Sequence, residues 1–216
     1  FIDDQSNDNS SNLISLFSFN SNISFVILKH LVNSGNQQAI KTGLRHLSKI
    51  DYQRVLIMDS DGEDNPKNIH ALLNTPGDIV VATRGVRQES YFFKSLYFLY
   101  KILFKLITGK KHDFGNFSVM SKAIAMQLYE SNFIHFSASI LKLKIPINRV
   151  KLDKAKRLGN TNSTLNFQFF IYHGLYAFLE FSETIFYKVI KFLCFLILIL
   201  FLFSGYVFFQ KIFTQN

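Results

Sequence analysis

The chain carries the sequence VLIMDSDGEDNPKNI at residues 55–69, where a short apolar run leads into a group of acidic residues. Four apolar residues in succession, 55–58, are typical of a strand that is buried on both faces of a parallel sheet. Asp64 or Asn65 followed by Pro66 indicates a helix start, because proline fits the first helical turn and the preceding side chain can cap it. The apolar residues on the inward face of this helix are expected to be Ile69, Leu72 and Leu73.

Strands and helices alternate along the chain on both sides of this stretch. Residues 1–2, 23–28 and 78–84 are predicted strands, and residues 37–47 have the apolar spacing of an amphipathic helix. Such alternation predicts an α/β fold in which a mostly parallel sheet is flanked by helices. Ligands bind such sheets beyond the carboxyl ends of the strands. The polar residues that follow the predicted strands are Asp3, Asp4, Asp59, Asp61 and Arg84.

The acidic residues after the strand have the composition of a metal site. In an extended segment Asp59, Asp61 and Glu63 would project to one side, so that three carboxylates could bind one Mg²⁺ or Mn²⁺ ion. Such an ion bridges a diphosphate and neutralises the charge that develops when a nucleotide leaves. Acids are also common in solvated loops after strands, and the triplet by itself leaves both interpretations open.

The second half of the chain is rich in apolar and aromatic residues. Residues 192–209 contain 18 residues without a charge, and a helix of that length extends about 27 Å, enough to span a membrane. Residues 167–187 mix aromatic side chains with two glutamates and are predicted to form an interfacial helix. Residues 91–107 form either a core helix with snorkelling lysines or a helix on the membrane surface.

The charge distribution indicates an anionic partner beside the membrane. Lys and Arg total 24 against 15 acids, for a net charge of +9, and seven of the basic residues lie within 142–157, shortly before the apolar tail. Membrane phosphates explain this placement more simply than nucleic acid does. Lys188 and Lys191 precede the predicted span and only Lys211 follows it, which predicts that the part of the chain before the span lies on the cytoplasmic side. One cysteine excludes a disulfide framework.

Five segments occur in an order and spacing that resemble glycosyltransferase family 2, specifically its polyprenyl-phosphate branch of dolichol-phosphate-mannose-synthase type. The segments are FIDDQSND, LVNSGNQQAIKTGL, VLIMDSDGEDNPKNI, DIVVATR and DFGNFSVMSK, which together cover residues 1–122. The resemblance implies a GT-A fold, which is Rossmann-like, over residues 1–164, with the family's first strand missing from the chain. An interfacial helix over 165–188, a transmembrane helix over 189–210 and a short tail over 211–216 are expected to follow.

The resemblance also implies roles for individual residues. Asp3 and Asp4 would hold the nucleotide, with Asp4 the more direct contact, and the metal and donor phosphates would bind Asp59, Asp61 and Glu63. The family often has Gln at the position of Glu63. Arg84 corresponds to an arginine that faces the acceptor phosphate, a task that suits the paired donors of a guanidinium group.

Three further segments correspond to parts of the family's site. Asn36 and Gln37 open a helix, where their amides either support the site or cap the helix, and residues 115–117 correspond to a segment near the sugar and the acceptor. In KRLGNTNS, residues 156–163, the resemblance implies a loop that closes over the donor diphosphate. The residues of that loop that match the family are Lys156, Gly159 and Thr161, while Asn162 replaces a lysine.

These observations predict an inverting enzyme that moves a sugar from a GDP- or UDP-linked donor to dolichyl or undecaprenyl phosphate. A phosphate acceptor is already ionised near neutral pH, so this chemistry needs no dedicated general base. The alternatives are a family 2 transferase that acts on a lipid or glycan hydroxyl, and a non-catalytic membrane-tethered binding protein. The absence of Trp disfavours processive members, which carry a Gln-X-X-Arg-Trp motif. We expect a single-pass fragment, cut at one or both ends, that can form homo-oligomers.

Overall fold

The computed structural model describes residues 1–16, 23–84, 91–152 and 167–213. The strands in chain order are β1 (Ile2–Asp3), β2 (Leu28–Lys29), β3 (Arg54–Ile57), β4 (Ile79–Arg84), β5 (Phe114–Ser121) and β6 (Asn148–Leu152). The α-helices are α1 (Ser10–Leu16), α2 (Asn36–Leu47), α3 (Ile69–Asn74), α4 (Tyr91–Thr108), α5 (Lys122–Glu130), α6 (Phe136–Lys142), α7 (Phe167–Leu179) and α8 (Ser182–Phe213). A short 3₁₀ helix, Pro66–Asn68, precedes α3.

The strands form two sheets flanked by helices, which confirms the predicted α/β fold. The larger sheet has the order β3-β5-β4-β6. Since β5 is antiparallel to both β3 and β4, and β4 is parallel to β6, three of the four strands run in one direction and only β5 runs against them. The smaller sheet pairs β1 with β2 in parallel. The amino end of β5 therefore lies at the carboxyl ends of β3 and β4.

The core lies on both sides of β4. Ile79 and Val81 are fully buried among residues of α2, α4, α5, α6 and α7, whereas Val80 packs on the other side with Leu72 of α3 and Val119 of β5. Successive side chains of a strand point to opposite faces, so a continuous apolar run such as β4 needs cover on both. Each such side chain contributes about 1.5–3 kcal/mol when fully buried.

Three local predictions differ from the structure. Residues 23–27 form no strand, and β2 is limited to two residues because its partner β1 has only Ile2 and Asp3 to pair with it. The polar composition of residues 7–12 favours a turn, whereas Ser10–Leu16 form α1. Leu73 is 39% exposed although Leu72 beside it is fully buried, because Ile69 and Leu72 form the inward face of α3.

The helix predicted over residues 167–187 is interrupted. α7 ends at Leu179, Glu180 and Phe181 are buried, and α8 begins at Ser182. α8 has 32 residues and no buried residue, and it is long and apolar enough to cross a membrane. The charge-free segment 192–209 lies within it. The residues 180–182 between the two helices are called the α7–α8 corner below.

α4 combines the two arrangements that its sequence left open. Phe104 is fully buried in the core, where its ring contacts His112 and Phe178. The opposite face exposes Phe98, Leu99, Ile102, Leu103 and Leu106. α4 packs against both α7 and α8. Its exposed apolar face therefore lies on a helix that contacts the candidate membrane helix.

Candidate active site

The acidic loop after β3 is bent, so the prediction of an extended segment is wrong. The backbone N–H of Glu63 donates to Asp61 Oδ1 at 3.0 Å, and Gly62 between them has φ of 83°, a conformation that glycine adopts without strain. The backbone N–H of Asp59 donates to Asp64 Oδ2 at 3.1 Å. Asp64 thus folds the end of the loop back onto its beginning, and the alternation that would align three carboxylates does not apply.

Asp59 meets two amide side chains that lie far away in the sequence. Its Oδ1 accepts hydrogen bonds from Asn36 Nδ2 at 3.2 Å and from Asn116 Nδ2 at 3.3 Å. Asn116 Nδ2 also lies 3.4 Å from Asn36 Oδ1. Asn36 is the first residue of α2, and Asn116 is the third residue of β5. The antiparallel course of β5 delivers Asn116 to the edge where β3 ends.

The amino end of α2 adds a favourable field at this edge. Gly35 caps the helix with φ of 85° and provides no side-chain acceptor for the first N–H groups. The unpaired N–H groups and the helix dipole favour negative charge near a helix start. Asp59 lies close to that end, because it accepts a hydrogen bond from Asn36, the first residue of α2. The amino end of α2 therefore favours the carboxylates of Asp4 and Asp59 beside it.

The donor set at this edge fits a hard divalent cation that also binds substrate phosphates. Within the four described ranges, no three His, Cys, Asp or Glu residues come together as a metal-binding group, so Asp59, Asp61 and Glu63 are not gathered into one cluster. Mg²⁺ is commonly held by one or two carboxylates, with phosphate oxygens and water as the other ligands. Asp59 and Asp61 match that smaller requirement.

Asp3 builds the turn that follows β1. Its Oδ1 accepts from the backbone N–H of Ser6 at 2.8 Å, and its Oδ2 accepts from the hydroxyl of Ser11 in α1. The hydrogen bond from Ser11, followed by that from Ser6, lowers the pKa of Asp3 from 3.8 to about 2. The sequence did not point to Ser11, because the polar residues 7–12 favour a turn and not the helix that carries it.

Asp4 holds the loop that leads into α2. Its Oδ1 accepts from the backbone N–H of Ser34 at 2.8 Å and contacts His30 Nδ1 at 2.7 Å, and its Oδ2 accepts from the N–H of Gly35 at 2.6 Å. His30 Nε2 in turn lies 2.9 Å from the hydroxyl of Thr42 in α2. Burial raises the pKa of Asp4, but the hydrogen bonds from Ser34, His30 and Gly35 outweigh it and leave the pKa below its usual value.

His30 was also missed in the sequence, although a signal was present. It follows β2 directly, and β2 is parallel to β1, so residues after the two strands meet at one edge. A histidine at that position could have been paired with Asp4 by the same reasoning that selected Asp59 after β3.

The remaining predicted site residues fall partly outside the described residues. Arg84 ends β4 and pairs through its backbone register with Leu152 of β6, at the same edge of the sheet as the loop of Asp59. Nothing further is described of its side chain. The predicted diphosphate loop, with Lys156, Gly159 and Thr161, lies outside the described residues.

An α/β domain of this kind binds its ligands at the carboxyl edge of its strands, where Asp59 and the two amides lie. The family model described as Glycosyl transferase family 2 matches residues 1–132, and the chain belongs to glycosyltransferase family 2. A search of curated proteins found none that matches the chain. Family membership supports transfer of a glycosyl group from a nucleotide sugar to an acceptor.

Proposed function

We propose that this family 2 glycosyltransferase moves a sugar, with inversion, from a GDP- or UDP-linked donor to a polyprenyl phosphate at the cytoplasmic face of a membrane. The carboxyl edge of the larger sheet, where Asn36 and Asn116 meet Asp59, is called the Asp59 edge below. The observation that carries the proposal is that one chain contains both this edge and α8. α8 could span a membrane, and α4 and α7 beside it expose apolar side chains. An acceptor with a lipid tail and a phosphate head would suit an enzyme held in this way.

Each predicted residue takes one part in this reaction. Asp59 and Asp61, with Glu63 nearby, would hold Mg²⁺ or Mn²⁺, which when bound neutralises charge on the donor diphosphate. Asp3 and Asp4 would shape the nucleotide pocket, since both already fix the loops after β1 and β2. Arg84 would face the acceptor phosphate. The loop residues Lys156, Gly159 and Thr161 would close over the diphosphate.

The chemical step needs positioning more than proton transfer. An oxygen of the acceptor phosphate attacks the anomeric carbon on the face opposite the leaving group. The new carbon–oxygen bond forms as the bond to the nucleoside diphosphate breaks, and the electron pair leaves with the diphosphate. Asn36 and Asn116 donate to Oδ1 of Asp59 and would orient its carboxylate at the edge where the donor binds.

The proposal is tested in membranes that contain the chain. Radiolabelled GDP- and UDP-sugars are supplied with Mn²⁺ and with either a polyprenyl phosphate or the corresponding polyprenol. We expect label in the lipid phase only with the phosphate acceptor. Transfer to the polyprenol would instead favour the hydroxyl-acceptor alternative. No transfer from any donor would favour a non-catalytic binding protein.

A matched pair of variants tests the assigned acids. Asp61→Ala removes an acid of the bent loop, whereas Asp51→Ala removes an exposed acid before β3 that pairs with Lys122 at 2.7 Å. We expect Asp61→Ala to lose about 100-fold or more in transfer rate, as removal of one electrostatic group at a reacting centre commonly does. Asp51→Ala should keep wild-type transfer. Equal rates for both variants would remove Asp61 from the site.

A further inference from the structure

The segment that leads into α6, residues 134–138, connects the membrane side of the protein to the Asp59 edge. α6 is buried along its length from Phe136 to Leu141. The first N–H groups of a helix have no partner within the helix, and in a buried helix they need acceptors from elsewhere. Side chains from two distant parts of the chain accept from the N–H groups of residues 134–136, at and just before the start of α6. The segment 134–138 is called the α6 lead-in below.

The first acceptor is a buried glutamate at the α7–α8 corner. Glu180 Oε2 accepts from the backbone N–H of Ile134 at 2.6 Å and from that of His135 at 3.1 Å. Glu180 is only 7% exposed, and Lys142 Nζ at the end of α6 lies 3.5 Å from its Oε1. Moving this carboxylate away would leave the N–H groups of Ile134 and His135 without this acceptor, which is unfavourable in a largely buried segment.

α7 makes a second connection to the same segment. His135 Nε2 lies 3.1 Å from Nδ1 of His173 in α7, and the two rings meet edge to face. On its other side the His135 ring caps α6, because Nδ1 accepts from the N–H of Ala138 at 3.3 Å. The α7–α8 corner and α7 therefore both hold the α6 lead-in, and these three parts are expected to shift together.

The second acceptor comes from the start of α2. Gln37 Oε1 accepts from the backbone N–H of Phe136 at 2.6 Å, although the two residues are 99 positions apart. Gln37 follows Asn36 directly, and Asn36 donates to Asp59. A displacement of the α6 lead-in would thus act on the turn of α2 that carries Asn36.

We propose that Glu180 and Gln37 are positioning residues that couple the seating of the α7–α8 corner to the geometry of the Asp59 edge. Direct contacts run from the corner to the α6 lead-in, from there to α2, and from α2 to Asp59. The candidate membrane helix α8 then affects how tightly the donor binds as well as where the protein is held. This inference rests on the proposed function, because it takes the Asp59 edge to be where the metal and the nucleoside diphosphate bind.

Hydrogen–deuterium exchange of the wild-type chain in lipid nanodiscs tests the coupling without any substitution. Mn²⁺ together with GDP or UDP should slow amide exchange in two site segments, residues 36–41 and 59–64. Because coupling between sites is reciprocal, it should also slow exchange in the α6 lead-in. Protection of the site segments with no change in the lead-in would overturn the coupling alone. No protection in either place would overturn the proposed binding edge, and the inference with it.

Substitutions at the corner separate positioning from simple support of the fold. Glu180→Ala should raise the Kd for Mn²⁺ with nucleoside diphosphate about tenfold, whereas Glu180→Gln, whose amide oxygen still accepts, should stay within about twofold of wild type. The matched control is Glu183→Ala, an exposed acid in the first turn of α8. A merely structural role would lower the Tm of Glu180→Ala and leave its Kd unchanged, which contradicts the inference.

If Glu180→Ala does not fold, a substitution in α2 tests the same coupling. Gln37→Leu removes the acceptor for the N–H of Phe136 but leaves the α7–α8 corner intact. We expect it to raise the same Kd and to speed amide exchange in the α6 lead-in. Wild-type Kd together with faster exchange would show that the contact serves the fold only, and would overturn the inference.

Discussion

The loop after β1 and the loop after β3 both place aspartates at the carboxyl end of a strand, yet the protein uses them differently. Asp4 is held by two backbone N–H groups and a histidine at 2.6–2.8 Å. Asp59 accepts from two side-chain amides at 3.2 and 3.3 Å. Backbone donors are fixed by the fold, whereas side-chain amides can turn toward a ligand. The aspartate of the first loop is therefore held more rigidly by the fold than the aspartate of the second.

The largest expected effect is on activity at Asp59. Asp59→Asn keeps the size of the side chain and removes its charge, so transfer should fall at least about 100-fold. The Tm should change little, because the lost contacts are long amide hydrogen bonds. Transfer assays and thermal unfolding of the same preparation measure both quantities. Near-normal transfer by Asp59→Asn would contradict the distinction drawn between the two loops.

Asp4→Asn should give the opposite pattern. An asparagine offers one acceptor oxygen where Asp4 uses two, and its NH₂ group faces donors, so unfolding should become easier by about 2 kcal/mol. Denaturant titration of the protein in detergent micelles measures the change. Mn²⁺ binding by whatever fraction remains folded should persist. A stable Asp4→Asn variant that no longer binds nucleotide would mean that Asp4 acts on the ligand and not on the scaffold.

Acid should weaken the scaffold through a buried histidine of the core. Burial lowers the pKa of His112 from 6.5 to about 4, and His112 lies between the hydroxyls of Tyr100 and Ser137. Because the unfolded chain binds more protons in this window, stability should fall as pH drops from 6.5 towards 4, by up to about 1.4 kcal/mol per pH unit. Tm measured against pH gives the slope.

Two substitutions compare the effect of the buried His112 on this slope with the effect of an exposed histidine. His112→Asn should flatten the slope of Tm with pH, whereas His70→Asn, at an exposed position of α3, should leave it unchanged. His135 is also buried, with its pKa lowered to about 2, so part of the slope should remain in His112→Asn. Equal slopes in all three proteins would contradict the assignment.

The smallest expected effect concerns Asp3. Ser11→Ala removes the hydrogen bond that contributes most to its lowered pKa, so the pKa should rise from about 2 towards 3.8. NMR titration of the side-chain carboxyl carbon measures it, with Ser15→Ala in the same helix as the control. An unchanged pKa would show that Ser6 alone sets the charge of Asp3 and would weaken the view that α1 helps to fix this loop.

The sequence was a good guide where periodicity or a continuous apolar run determines structure. α2, β3 and β4 lie close to their predicted bounds. A helix that buries one stripe has regularly spaced apolar residues, and a strand that is buried on both faces has a continuous apolar run. The acids after β3 were found by their position at a strand end. The contact of Asn36 with Asp59 fits the supporting role that was considered for its amide.

The structural features that could not be predicted from the sequence depend on long-range contacts. The acidic loop bends because Asp64 accepts from the N–H of Asp59, and nothing in the local composition distinguishes that from an extended run. The break between α7 and α8 follows from burial of Glu180 against N–H groups some 45 residues earlier in the chain. The reversed direction of β5 brings Asn116 to the site, and direction in a sheet has no local signature.

The central claim is that the Asp59 edge binds a divalent ion with a nucleoside diphosphate, and paramagnetic broadening by Mn²⁺ tests it most directly. In the presence of GDP or UDP, Mn²⁺ should first broaden the side-chain amide NMR signals of Asn36 and Asn116. The signal of Asn148, which donates to the carbonyl of Pro76 at the opposite edge of the sheet, should stay sharp. Broadening of Asn148 first, or of all three signals equally, would contradict the claim.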